Sequence, residues 1–253
     1  MDRGTYVATS GGVLQMRKLE VQNNNLANIN TIGFKRQFLT AESQQFEHTF
    51  AEALGSKAPF ARGDHARIRG VENVAVHTDF APGPISFTSN PLDVALRNPR
   101  DFFVVNTPEG QQYTRAGNFT LNAAGEIVTP DGMQVIGEGG PIQIVGSRPA
   151  INADGSVTVN GQIVSRLQVA QVDDTKNLEH AGGTRFKVIA GKPALTPVDP
   201  QIIPKSVEMS NVSPVTGMVD LIVTNRAFEA YTKAAQTIDG MNQSAITQLG
   251  KRQ

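Results

Sequence analysis

The chain has four histidines, His48, His65, His77 and His180, and no two of them share a spacing such as HExxH that would place both on one helix face around a metal. Isolated imidazoles in loops and on the surface are the simpler account. Gly137-Glu138-Gly139-Gly140-Pro141 is glycine-rich, but it lacks the lysine and following hydroxyl of a phosphate loop and precedes a strand-like segment, so it reads as a turn. Asp173-Asp174 could form an acid pair only if both side chains shared a face, and neighbours on a strand do not. Arg62, Arg67 and Arg69, with Lys57 nearby, make a basic stretch, yet Asp64 and Glu72 interleave and no aromatic platform accompanies it. There is no cysteine, hence no thiolate nucleophile, thiolate metal site or disulfide. These residues converge on no active site. The expectation is a non-enzyme with no catalytic, cofactor-binding or metal-binding residues, no cofactor, no small-molecule substrate and no nucleic-acid partner.

Lysine plus arginine and aspartate plus glutamate each total 23 in 253 residues, so overall charge selects no partner. Glycine (24) and proline (14) are plentiful, which implies many turns between short strands. From Pro214 onward the pattern changes to a helical stripe. Leu221, Phe228 and Ala235 repeat at seven, with Tyr231 and Ile238 on the companion line. Ser213-Pro214 suits a helix start, and Gly217 and Gly240 weaken the interior by about 1 kcal/mol each. A second helix is expected from Thr5 to Ile32, where Val7, Leu14 and Val21 repeat at seven beside Leu26 and Ile29. Gly33 could end it in the left-handed conformation, with Phe34 clasping Ile29 and Lys35-Arg36 complementing the helix dipole. The same helix carries Asn23, Asn24, Asn25, Asn28 and Asn30, residues that favour caps and turns over helix interiors.

Between these ends the apolar period is two. Segments 93–96, 102–105, 119–121, 126–129, 142–145, 156–159 and 163–172 read as strands. Pro108-Glu109-Gly110, Asn122–Gly125, Pro130-Asp131-Gly132, Ala153-Asp154-Gly155 and Asn160-Gly161 read as turns between them. The expected fold is α+β: long N- and C-terminal helices pairing as an α-helical coiled-coil domain, and a central all-β domain. The boundaries are an N-terminal helix at 1–35, a connector at 36–75 with a short helix around Glu42–Ala53, the β domain at 76–205 and a C-terminal helix at 206–253. The alternative is that both helices pack on the β domain as an ordinary α+β protein.

QNNNLANINTIGFKRQ resembles the N-terminal signature of the bacterial flagellar axial proteins, and SNVSPVTGMVDLIVTNRAFEAYTKAAQTID their C-terminal helix signature. The stretch from Asn90 to Ile142 is similar to the β domain of the family's rod branch. Within that branch, MDRGTYVATSGG and GEGGPI look most like the proximal-rod member, with the distal-rod and then the hook member as alternatives. Thr216-Gly217 and Gly240 depart from the family by standing where acidic residues are usual, as does Asn98–Asp101 where a glycine turn is usual.

The resemblance implies a structural subunit that polymerises into the axial drive shaft and transmits torque. Its partners would be copies of itself, other proximal- and distal-rod proteins and the flagellar type III export apparatus. Its place would be the basal body, in the rod crossing the periplasm, reached without a cleaved signal peptide. The assembly-interface residues it implies are Val7, Leu14, Val21, Asn24, Leu26, Asn28, Ile29, Gly33, Phe34, Leu221, Phe228, Tyr231, Ala235 and Ile238. In that setting the amides of Asn23, Asn24, Asn25 and Asn28 would bond between subunits and fix register. A rival from another class is a secreted β-rich carbohydrate-binding module or lyase, but three tyrosines and no tryptophan give it little to stack on a sugar.

Overall fold

The computed structural model describes residues 3–45, 69–193 and 195–250. The chain forms two compact units, one of Met1–Leu26, Gln37–His77 and Pro214–Gln253, the other of Ala27–Arg36 and Thr78–Ser213.

The first unit contains helix α1 (Arg3–Ala27), helix α2 (Pro214–Gly250) and a two-stranded ribbon of β1 (Gln37–Gln45) and β2 (Arg69–Thr78). Helix α2 begins at the proline expected to start it, and its 37 residues span roughly 55 Å. The coiled-coil pairing expected of the two helices is corrected by the structure. A heptad seam would be closed by interdigitating side chains. In its place lies an open apolar groove of about 220 Å³, lined by Ala8, Thr9, Gly12, Val13, Met16, Phe228, Tyr231, Thr232 and Ala235. Val7 and Tyr231, two of the expected seam residues, are 43 % and 37 % exposed. The helices touch where α1 is smallest. A Cβ on Gly4 would lie 3.2 Å from the Ile238 side chain, and one on Gly11 only 2.4 Å from the Tyr231 ring. Glycines at positions 4, 11 and 12 give α1 contact points without the large side chains a seam requires.

The N-terminal helix also ends earlier than its periodicity suggests, at Ala27 instead of Ile32. Gly33 has the expected positive φ of 73°, but its N–H donates to the Glu208 carbonyl oxygen (2.7 Å), not to a helix carbonyl. With Thr31 accepting from the Phe34 N–H (3.3 Å), it forms a turn beyond the helix. The expected connector at 36–75 contains β1 and most of β2. Glu42–Gln45 belong to β1 rather than to a short helix, and the rest of that expected helix lies outside the described residues.

The second unit is built around the strand Asp101–Thr107, which pairs antiparallel with Gly110–Thr114, Val104 standing opposite Tyr113. Beyond Gly110–Thr114 the sheet continues to Arg185–Val188 and Leu178–Gly182. Along its other edge Asp101–Thr107 meets Val169–Gln171 and Gln134–Gly137, and the latter leads to Ile127–Val128 and Thr120–Leu121. A three-stranded sheet of Pro149–Ile151, Ser156–Val159 and Gln162–Arg166 packs on one face.

The run Phe102-Phe103-Val104-Val105 is apolar throughout because both faces of its strand are covered. Phe103 and Val105 enter a core with Phe119, Ile127, Val135, Ile151 and Val157. Phe102 and Val104 enter a second with Ile136, Leu178, Phe186 and Leu195. The hairpin at Asn160-Gly161 has both central residues at positive φ (51° and 83°), as the Asn-Gly pair requires. Of the expected strands, Ile142–Val145 makes only one isolated bridge, Glu126 to Gln143. The run 163–172 is split between Gln162–Arg166 and Val169–Gln171.

Candidate functional site

The residues with chemical potential are used structurally. Asp174 caps the 3₁₀ turn Thr175–Asn177 by accepting from the Lys176 N–H (3.0 Å). The glycine-rich stretch is a hairpin turn, with Gly140 opposite Gly137. The ring of His180 sits 2.9 Å from the Gly183 carbonyl oxygen, and that of His77 lies beside Phe38 at 5.8 Å. His48, His65, Lys57, Arg62 and Arg67 lie outside the described residues. Among the described residues no group of three His, Cys, Asp or Glu could hold a metal ion.

Two other features stand out, one in each unit. In the first, α2 carries a second apolar stripe that the heptad reading passed over. Val215, Met218, Val219, Ile222 and Val223 fall at i, i+3, i+4, i+7 and i+8, and all are more than half exposed. Leu221, Phe228, Ala235 and Ile238 are half-buried on another side. On α1, Leu14, Val21 and Leu26 are half-buried, while Val13 and Met16 are exposed. Asn24 is exposed. Asn25, expected to bond between subunits, is instead buried within the chain. Its amide donates to the Gln37 carbonyl (2.7 Å) and accepts from the Gln37 N–H (2.8 Å), fixing the first residue of β1 against the end of α1. Asn25 therefore has a local purpose.

In the second unit, Asn28 accepts from the Thr31 hydroxyl (3.1 Å), Ile29 is half-buried, and Gly33 and Phe34 are buried. The residue after them opens a buried ionic cluster. Lys35, expected to face a helix dipole, instead donates to Glu208 Oε1 (2.6 Å) and to the Ala81 carbonyl (2.8 Å). Arg115 Nε donates to Glu208 Oε2 (2.8 Å), with Nη2 2.5 Å from the same oxygen. Arg115 Nη1 also donates to the carbonyls of Asn98 and Asp101 (2.7 and 2.6 Å). The Gly83 N–H completes the shell on Glu208 Oε1 (2.9 Å). All three side chains are at most 2 % exposed.

Burial pushes the Glu208 carboxyl up, but the Arg115 and Lys35 cations more than offset that and hold it below the ordinary carboxylate range. Burial lowers the Lys35 ammonium, and Glu208 only partly opposes the shift. Asp101 is pushed up by burial, with Gln171 and Arg115 opposing. Removing one partner of such a buried pair strands the other, at a cost of about 3–5 kcal/mol. Lys35 and Arg115 stand 173 and 93 residues from Glu208, so no local pattern announces the cluster.

What the arrangement offers is surfaces and anchoring, and three sequence families match along it. Residues 6–35 match the family described as "Flagella basal body rod protein", residues 98–164 "Flagellar hook protein FlgE/F/G D1 domain", and residues 203–249 "Flagellar basal body rod FlgEFG protein C-terminal". The flagellar basal-body rod protein FlgF of Mesorhizobium japonicum is 31 % identical over 100 % of both chains. FlgF of Caulobacter vibrioides is 30 % identical over 99 % of both. FlgG of the same organism, also named a basal-body rod protein, is 33 % identical over 96 % of this chain and 97 % of its own. With such likeness from end to end, the chain belongs to the flagellar basal-body rod protein family.

Proposed function

We propose that this chain is a structural subunit of the flagellar rod, in its proximal segment, assembling with copies of itself and with other rod proteins. The exposed stripe Val215, Met218, Val219, Ile222 and Val223 on α2 carries the reading. A contiguous apolar face on a soluble chain favours a partner surface that removes it from water. The half-buried positions Leu14, Val21, Leu26, Ile29, Leu221, Phe228, Ala235 and Ile238, with Val7 and Tyr231 beside them, would extend that contact. Asn24 and Asn28 would supply amides to neighbouring subunits, while Gly33 and Phe34 set the path of the chain after α1. A head-to-tail contact that does not close into a ring would build a filament. Export through the flagellar type III apparatus and a place in the periplasm-crossing rod complete the proposal, with torque transmission as the role.

Val219→Asp and Ile222→Asp test it. The purified variants should keep the circular dichroism of the parent, and cells carrying them should lose swimming on soft agar. Normal swimming by both would reject the stripe as an assembly contact.

A second reading, a distal-rod subunit, is favoured by the 33 % identity to FlgG. Complementation separates the two: the proximal reading expects rescue of a strain lacking FlgF and none of a strain lacking FlgG.

A further inference from the structure

The ionic cluster does more than neutralise buried charge, because it joins chain segments that belong to no common sheet. Segment 33–36 has no strand partner, and its bonds to the β unit end on two other segments. Gly33 N–H and Lys35 Nζ both reach Glu208, at its carbonyl and its carboxylate. Arg36 N–H donates to Asn211 Oδ1 (2.7 Å), and the Arg36 carbonyl accepts from the Asp79 N–H (2.8 Å). Asn211 in turn donates to the carbonyls of Asp79 and Ala81 (2.9 and 3.0 Å). Segments 33–36 and 79–83 are thus bonded to each other and to 206–211, whose residues Ser206–Glu208 also pair with Ile85–Phe87, and Glu208 and Asn211 each meet both of the other two segments. Arg115 is the root of the cluster, held by the carbonyls of Leu96, Asn98 and Asp101. Arg36, Asp79 and Asn211 each stand within three residues of a point where the chain leaves the β unit.

We infer that Glu208 is a latch: its paired charge holds segments 33–36, 79–83 and 206–211 on the β unit as one cooperative piece, which detaches together when that charge is removed while the two-core sheet stays folded. The groups facing Glu208 are Lys35, Arg115 and the Gly83 N–H, with Asp79 on the lysine side and Asp101 beside the arginine. Without the carboxylate, two buried cations lose their shared anion and segments 33–36 and 79–83 lose the acceptor they share. The sheet loses no backbone pairing. Local opening of this kind, short of global unfolding, is a property of elements with few buried apolar contacts of their own.

Hydrogen exchange on the full-length monomer tests the latch. In Glu208→Gln, the amides of Gly33, Arg36, Asp79, Gly83 and Met209 should exchange at least tenfold faster, together, while 101–107 and 134–137 keep the parental rate. Loosening confined to Gly83, which alone bonded the altered oxygen through its backbone, would overturn the inference. Acceleration spread evenly through both cores would overturn it too. Should Glu208→Gln fail to fold, Lys35→Met decides, because it leaves the Glu208–Arg115 pair and the Gly83 bond in place. It should release 33–36 and, through the lost Ala81 contact, 79–83, and unchanged protection of 33–36 would sink the idea.

Discussion

The two units bury their apolar residues in opposite ways. In the β unit, Phe102, Phe103, Val104, Val105, Phe119 and Ile127 are all at most 1 % exposed, packed into two cores on either side of one strand. In the helical unit the only fully buried apolar side chain among the described residues is Ala8, while Val215, Val223 and Met241 are each more than 60 % exposed. One unit completes its core within a single chain, whereas the other meets water with surface of the kind that elsewhere forms cores. Stability in the first should come from packing, and in the second mainly from the intrinsic preferences of its helices.

The sharpest way to break this contrast is Phe103→Ala. It deletes a ring that is 0 % exposed and stacked edge-on with Phe119 at 5.1 Å, at a cost of about 3–5 kcal/mol. In a thermal melt the β signal should move to markedly lower temperature and the helical signal should stay. If both moved together, the units would not be independent.

Acid should discriminate next. Glu208 is held below the ordinary carboxylate range, so its contribution is present above that range and lost as pH falls through its folded value. Asp101 is raised, so the folded state holds its proton more tightly, which offsets part of the loss in mild acid. Acid titration should therefore destabilise the β unit below the ordinary carboxylate range, with a shallower limb in Glu208→Gln. An equal limb in the two proteins would deny the cluster its energetic weight.

The smallest expected effect lies in the helical unit and has the opposite sign. A Cβ on Gly240 meets nothing within 4 Å, so Gly240→Ala should stabilise α2 by about 1 kcal/mol, seen as a helical melt displaced upward.

Much of this was legible in the residues because local rules were sufficient. Pro214 began α2, the Asn160-Gly161 pair specified its hairpin, and the short apolar run Phe102–Val105 marked a strand. The end of α1 was misplaced because Gly33 has the conformation of a helix terminator but serves another purpose. A Cβ there would stand 2.3 Å from the Ala116 backbone nitrogen, so the glycine lets two backbones press together within the β unit. The ribbon of β1 and β2 looks like connector in the sequence because its exposed strand Val74–His77 lacks the half-buried alternation that marks a strand. Heptad spacing points to Leu221, Phe228, Ala235 and Ile238 on α2. That rule found the half-buried side of α2 and missed the stripe beginning at Val215. The Lys35–Glu208–Arg115 cluster was out of reach altogether, since its members come from three distant stretches with no shared pattern.

The glycines of α1 read on the page as flaws in a helix, costing propensity wherever they stand. Beside Tyr231 the missing methyl at position 11 acts as a socket sized for one ring, since a Cβ would intrude to 2.4 Å. The feature that makes this helix a poor solitary rod therefore also gives it a specific seat, and a designer who stiffened it with alanine would gain straightness and lose the fit.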